Sequence, residues 1–195
     1  MNLINPIESQ LAEITQLVLV QTLRQREVTI DSDNKETPIQ LDLRGVNLQG
    51  ADMSGLAGHF DNALFDKSRF EGANFERSSL NRVRFKEAQL SGASFIAAQL
   101  NEAVLDGANL DGALLNEARL RSTDFINAST RLSMVLSVDL TDCVNLSQGM
   151  IHSMFGNATT MLPAGIEAPA WHRVNLLGAK FVLQWGIEKG KAGIE

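Results

Sequence analysis

From residue 60 to residue 125 every fifth position is leucine or phenylalanine, from Phe60, Phe65, Phe70 and Phe75 through Leu100, Leu105, Leu110 and Leu115 to Phe125. Two residues before each stands a smaller one: Ala63, Ser68, Ala73, Ala88, Ala103, Ala108 and their equivalents. A period of five suits neither common element. On an α-helix five residues advance about 500°, so the large residues would spiral around the axis. On a flat strand an odd period flips each repeat to the opposite side. The pattern closes only if the chain turns a corner once per repeat and keeps the same two positions inward. That is a solenoid.

The pattern weakens at both ends. Leu43, Leu48 and Met53 begin it, preceded by Leu41, Val46 and Ala51; seven residues then separate Met53 from Phe60, so residues 54–59 are read as a bulge or loop. After Phe125, Thr130, Val135 and Leu140 hold the register, while Val144 and Leu146 are read as slipping it by one. Ser147 is placed as the cap of a short helix with Ile151, Met154 and Phe155 on one face and Gly156 at its end. Pro163, Gly165 and Pro169 mark a loop leading to Trp171, and residues 183–195 are read as a disordered tail. At the other end Asn5-Pro6-Ile7-Glu8 signals a helix start, and Ile7, Leu11, Ile14 and Val18 supply an apolar face over residues 1 to about 28. That helix is read as a cover for the solenoid end; its other reading, a membrane-surface or partner helix, lacks the basic polar face such binding favours. Three segments follow: 1–40, an N-terminal helix and linker; 41–146, the repeat solenoid; and 147–195, a cap helix, loop and tail.

Ala73-Asn74-Phe75, Ala108-Asn109-Leu110, Ala51-Asp52-Met53 and Val46-Asn47-Leu48 fit the repeat Ala-(Asp/Asn)-Leu-x-x. The tract from about 41 to 146 resembles the pentapeptide-repeat family. Its flanks, Leu41-Asp42-Leu43-Arg44-Gly45, Phe155-Gly156, Leu162-Pro163 and Pro169-Ala170-Trp171, resemble more loosely the segments beside the repeats of some bacterial members. The resemblance implies an all-β solenoid: a right-handed quadrilateral β-helix, one repeat per side and four per coil, with an N-terminal α-helix and a short C-terminal helical cap. Some family members protect DNA gyrase by resembling duplex DNA, with rows of carboxylates along the rod.

Composition narrows the function. The net charge of -6 argues against a grip on phosphate backbones, so no direct nucleic-acid binding is expected. The single cysteine, Cys143, rules out an internal disulfide and suits a reducing compartment. No basic, apolar leader opens the chain, and Leu17-Val18-Leu19-Val20 falls far short of the roughly 18 residues needed for a transmembrane segment. The protein is therefore expected to be cytoplasmic. His59, His152 and His172 stand apart without metal-spaced partners, and no nucleophile–base constellation appears. Gly186-Ile187-Glu188-Lys189-Gly190-Lys191-Ala192 is one residue short of a phosphate loop and lacks its Ser/Thr. No cofactor, metal site or catalytic residue is expected.

With four repeats per coil, residues twenty apart share a side. One side carries Leu64, Arg84 and Val104 outward, with Ile126 beyond them; another carries Ile96, Leu114, Met134 and Leu136. Outward apolar residues in line are candidates for a partner surface. The expected function is a non-enzymatic scaffold for an unidentified protein partner, with a homodimer through a solenoid end as one option. Protection or inhibition of DNA gyrase is the alternative, and Arg82, Arg84 and Lys86 interrupt the carboxylate row it would need.

Overall fold

The computed structural model describes residues 41–55 and 60–173. The predicted N-terminal helix, most of the loop at 54–59, the phosphate-loop-like segment and the tail lie outside them. Within them the chain winds as a four-sided β-solenoid, and its backbone shows why the repeat is five residues long. Taking Phe65 as a central residue, its N–H donates to Arg84 O of the next coil at 2.8 Å, and Arg84 N–H donates back to Ala63 O at 2.9 Å. Lys67 N–H donates to Lys86 O at 2.8 Å. Ser68 N–H turns back to Phe65 O at 3.1 Å, closing a corner. Lys67, third residue of that four-residue corner, has φ 58°, the left-handed value that defines a type II turn. The same value recurs at Arg82, Glu87, Ala97, Glu102 and Glu117.

One donor per repeat remains, the N–H just after the central residue. Side chains meet it in two ways. The Asp or Asn before the central residue reaches forward two residues: Asn74 Oδ1 accepts from Glu76 N–H at 3.0 Å and Asp124 Oδ1 from Ile126 N–H at 3.0 Å. Elsewhere an Asx one coil below does the same, as Asp61 Oδ1 does for Asn81 N–H at 2.8 Å and Asn101 Oδ1 for Arg121 N–H at 3.2 Å. The Asp/Asn of the repeat is thus a backbone partner, which explains its place in the pattern.

Parallel bridges set the register. The first side runs Asp42–Leu64–Arg84–Val104–Asp124–Val144, and the second runs Asn47–Arg69–Gln89–Asn109–Ser129. The third runs Asp52–Asn74–Ser94–Leu114–Met134–Phe155, and the fourth Ser79–Gln99–Arg119–Asp139–Met161. Only three residues separate one corner from the next, so each side contributes an isolated bridge instead of an extended strand. The offset is 20 along most of the rod but 22 in the first coil, where the two extra residues predicted at 54–59 are absorbed.

The central and small inward positions fill the axis. Phe75, Phe95 and Leu115 are at most 1 % exposed on one side, and the rings of Phe75 and Phe95 stack with centroids 5.1 Å apart and planes 1° apart. Where the inner small residue is a hydroxyl, it bonds a carbonyl of the coil below: Ser78 Oγ to Met53 O at 2.7 Å and Thr123 Oγ1 to Leu100 O at 2.7 Å. A polar atom on the axis is thereby satisfied.

Three readings of the C-terminal end change. Val144 does not slip the register, since it pairs with Asp124 at the regular offset; the register is lost one residue later at Asn145, whose φ of 60° redirects the chain so that Leu146 packs on the core. The helix α1, Gln148–Ser153, is capped by Ser147 as expected, its Oγ accepting from Met150 N–H at 3.2 Å. It ends before Met154, however, and Phe155 is a bridge residue over Met134. Gly156 is not the helix terminator. A Cβ there would lie 2.4 Å from the Trp171 ring, so glycine admits the indole against the last coil. The rungs therefore run past residue 146 to Met161 over Asp139.

Candidate partner-binding surface

The outward positions differ in character from side to side. All seven residues singled out from the sequence are half-buried. Leu64, Arg84 and Val104 are consecutive rungs of the first side. Their row is occupied by charge pairing: Arg84 Nε donates to Asp66 Oδ1 at 2.8 Å, and its Nη2 lies 2.6 Å from Asp66 Oδ2. Below and above it stand Arg44–Asp42 at 2.6 Å, Lys67–Glu87 at 3.7 Å and Lys86–Asp106 at 2.9 Å. Asp66 raises the Arg84 pKa above its ordinary value, as Asp106 does for Lys86. Hydrogen bonds from Lys86 and Asn127 hold Asp106 below the usual carboxylate range.

On the third side Leu114 and Met134 are direct bridge partners. Ile96 and Leu136 sit on the adjoining corner, one coil apart from Asn116, whose Oδ1 accepts from Leu136 N–H at 3.0 Å. These four therefore form one apolar area interrupted by an amide already engaged with the backbone. Every ion pair between described residues lies on the first or second side, the latter through Arg69 and Glu71 at 3.1 Å. The third side has apolar groups and few fixed charges, which suits a protein surface more than a small polar ligand.

Sequence reasoning passed over the most exposed apolar groups. Leu132 is 59 % exposed, Met161 53 % and Val144 45 %; Ile126, which the sequence did place outward, is 39 % exposed. Leu132 stands at the left-handed corner position that Gly72, Gly92 and Gly112 fill below it, so the period alone places it outside. Val144 and Met161 are the last rungs of their sides. Their exposure was hidden because the repeat pattern had faded.

Other features carry little chemistry. A shallow groove of about 370 Å³ on the fourth side mixes Arg119 and Arg121 with Glu117, Asp139 and Asp142. Burial, and then Asp139 and Asp142, push the Cys143 thiol up to about 12, and its Sγ donates to Leu120 O at 3.3 Å. It is a poor nucleophile. Among the described residues no three His, Cys, Asp or Glu side chains gather as a metal cluster, and no helix is long and apolar enough to cross a membrane.

Comparison with known proteins agrees with the corner geometry. The family model described as pentapeptide repeats matches residues 59–95 and 98–129, in eight copies. No curated protein matches the sequence. Among solved structures, Rfr23, a pentapeptide repeat protein from the cyanobacterium Cyanothece 51142, is 22% identical over 62% of this chain and 90% of its own, with a TM-score of 0.49. HetL, a pentapeptide repeat protein involved in heterocyst differentiation regulation in Nostoc sp. strain PCC 7120, is 20% identical over 53% of this chain and 62% of its own, with a TM-score of 0.26. QnrB1, a plasmid-mediated fluoroquinolone resistance protein, is 16% identical over 80% of this chain and 97% of its own, with a TM-score of 0.32. With its repeat matched eight times along a four-sided solenoid, the tract of residues 59–129 is one of pentapeptide repeats.

Proposed function

We propose that the rod is a cytoplasmic, non-enzymatic scaffold of right-handed winding whose third side binds a protein partner, with Leu64, Arg84 and Val104 as a second area of contact. The observation that carries this reading is the apolar area of Ile96, Leu114, Met134 and Leu136 on a side without ion pairs between described residues. Apolar groups held half out of water by a rigid backbone lose little entropy on binding. Charged substitutions at Ile96 and Leu114 (Ile96→Lys with Leu114→Asp) are expected to abolish partner capture from cells of the source organism while leaving the unfolding midpoint within a few degrees. Unchanged capture by that double variant would remove the third side from the reading.

The gyrase alternative has less support. Four ion pairs neutralise carboxylates along the first side, Asp42, Asp66, Glu87 and Asp106, where a DNA mimic needs them uncompensated. Purified protein that altered gyrase supercoiling or its quinolone sensitivity would reverse the preference.

A further inference from the structure

The third side complements itself when one copy is turned end over end onto another. Below the buried Phe155 its rungs stand at five levels, Asp52, Asn74, Ser94, Leu114 and Met134, with Ser94 in the middle. The corner that leaves this side carries Gly55, Arg77, Ala97, Glu117 and Ser137, all at positive φ. Arg77 and Glu117 thus stand one level below and one level above the middle. Both are exposed, and among the described residues neither has an ion pair.

The corner that enters the side is shaped as a hollow and a knob. Gly50, Gly72, Gly92 and Gly112 turn it at the first four levels, and Leu132 turns it at the fifth. A Cβ at Gly50, Gly72 or Gly92 would meet nothing within 4 Å, so bare backbone lies open there. Leu132 is the most exposed large apolar residue among those described. A two-fold axis crossing the rod at the middle level exchanges the first level with the fifth and the second with the fourth. It sets Arg77 against Glu117 of the second copy, and Glu117 against its Arg77. Leu132 then lies over the bare corner at Gly50, and Ile96 meets Ile96 at the axis. Moving the axis by one level sets Glu117 against Glu117 or Arg77 against Arg77. A parallel pair faces both charges with glycine, at Gly72 and Gly112. Only the antiparallel register that overlaps all five levels joins opposite charges, and such complementarity fixes register at an interface.

Resting on the reading of the third side as a partner surface, we propose that its occupant is a second copy of this chain, docked antiparallel about the level of Ser94. Five levels at about 4.8 Å span about 19 Å of rod. A face of that length is at the small end of specific interfaces, so monomer and dimer should interconvert with concentration.

Sedimentation equilibrium of the full-length chain measures the association. Arg77→Glu and Glu117→Arg should each weaken it at least about tenfold, because each sets like charges face to face twice. Mixed in equal amounts, the two variants should associate again, since every facing pair is then opposite in sign. A folding defect gives no such recovery. A chain that stays monomeric at every concentration would overturn the proposal, as would a dimer that neither variant weakens or a mixture that fails to recover. Capture from cells separates this proposal from the reading beneath it. A monomeric chain whose capture of another protein is lost with Ile96→Lys and Leu114→Asp keeps the third side as a partner surface and excludes the second copy. If that capture is unchanged as well, both fall.

Discussion

The rod has two halves built on one backbone and filled differently. From Phe60 to Phe95 the axis is mostly aromatic: Phe65 stacks on Phe85 at 5.3 Å and Phe75 on Phe95 at 5.1 Å, with edge-on contacts linking the columns. From Leu100 to Leu120 it is leucine throughout. The surfaces differ as well, because every ion pair between described residues falls within residues 42–106. Yet bridge offsets and corner hydrogen bonds are the same in both halves. The corner and its backbone partners therefore set the geometry, and the large side chain need only be apolar and of suitable size. What the filling changes is local strength. On the proposed reading the halves would also divide labour, since Leu114, Met134 and Leu136 of the candidate surface lie in or beyond the leucine half, outside the span of residues 42–106 that holds every ion pair between described residues.

The largest expected effect separates the two cores. Phe85 touches four other rings, those of Phe65, Phe70, Phe75 and Phe95, at centroid distances of 5.3 to 6.1 Å. Truncating it removes a buried ring and those contacts together, so Phe85→Ala should cost about 3–5 kcal/mol. Leu110→Ala, equally buried but removing no ring, should cost nearer to 2–3 kcal/mol, at the lower end of such substitutions. Urea unfolding of the two variants measures the difference. A larger loss at Leu110 would show that the aromatic half is not the stronger one.

Much of this was legible before any coordinates. The unbroken series from Phe60 to Phe125 required a corner every five residues, and the bridges repeat at that register. The two extra residues before Phe60 were legible too, as the offset of 22. The role of the Asp or Asn was not, because its partner is a backbone N–H two residues on, and hydrophobic periodicity is silent about hydrogen bonds. The end of the rod misled the reading for a related reason. At Phe155 the chain resumes a rung with a residue that also fits a helical face beside Ile151. Gly156 resembles a helix stop, although the bulk of Trp171, far along the chain, is what requires it. The candidate surface was legible only as shared sides. That Arg84 is tied to Asp66, and so differs from Leu114, depends on a contact between adjacent coils.

A smaller effect asks whether the corners are alike in both halves. Gly92 and Gly112 occupy the same corner one coil apart, with φ 66° and 69°, and a Cβ at either would meet nothing closer than 4.0 Å. Alanine there is opposed by backbone conformation alone, at about 1–2 kcal/mol. Gly92→Ala and Gly112→Ala should therefore lower the unfolding free energy equally. Ala97, held at φ 56°, is the converse case, and Ala97→Gly should raise stability by up to about 1 kcal/mol. Unequal losses at the two glycines would mean that the aromatic and leucine halves impose different corners after all.

The smallest effect concerns the charged surface of the aromatic half. Hydrogen bonds from Lys86 and Asn127 keep the Asp106 carboxyl below its ordinary value, and Asp106 keeps Lys86 above its own. For the carboxyl, the stabilisation is present above the unfolded value near 3.9 and is lost as pH falls through the lower folded one. For the ammonium, it is present below about 10.4 and is lost as pH rises through the higher folded value. The pair should therefore contribute evenly across neutral pH and fade at both extremes. Both side chains remain open to solvent, so the contribution is small and screened by salt. Asp106→Asn should lower the melting temperature slightly at pH 7 in low salt, and not at all near pH 2 or in about 1 M salt. Asn116 on the third side has no such partner; its amide serves the Leu136 N–H, and its substitution should give a loss independent of salt. A salt-independent loss at Asp106 would place its role in the hydrogen bond from Asn127, at 3.2 Å, and erase the electrostatic distinction between the two sides.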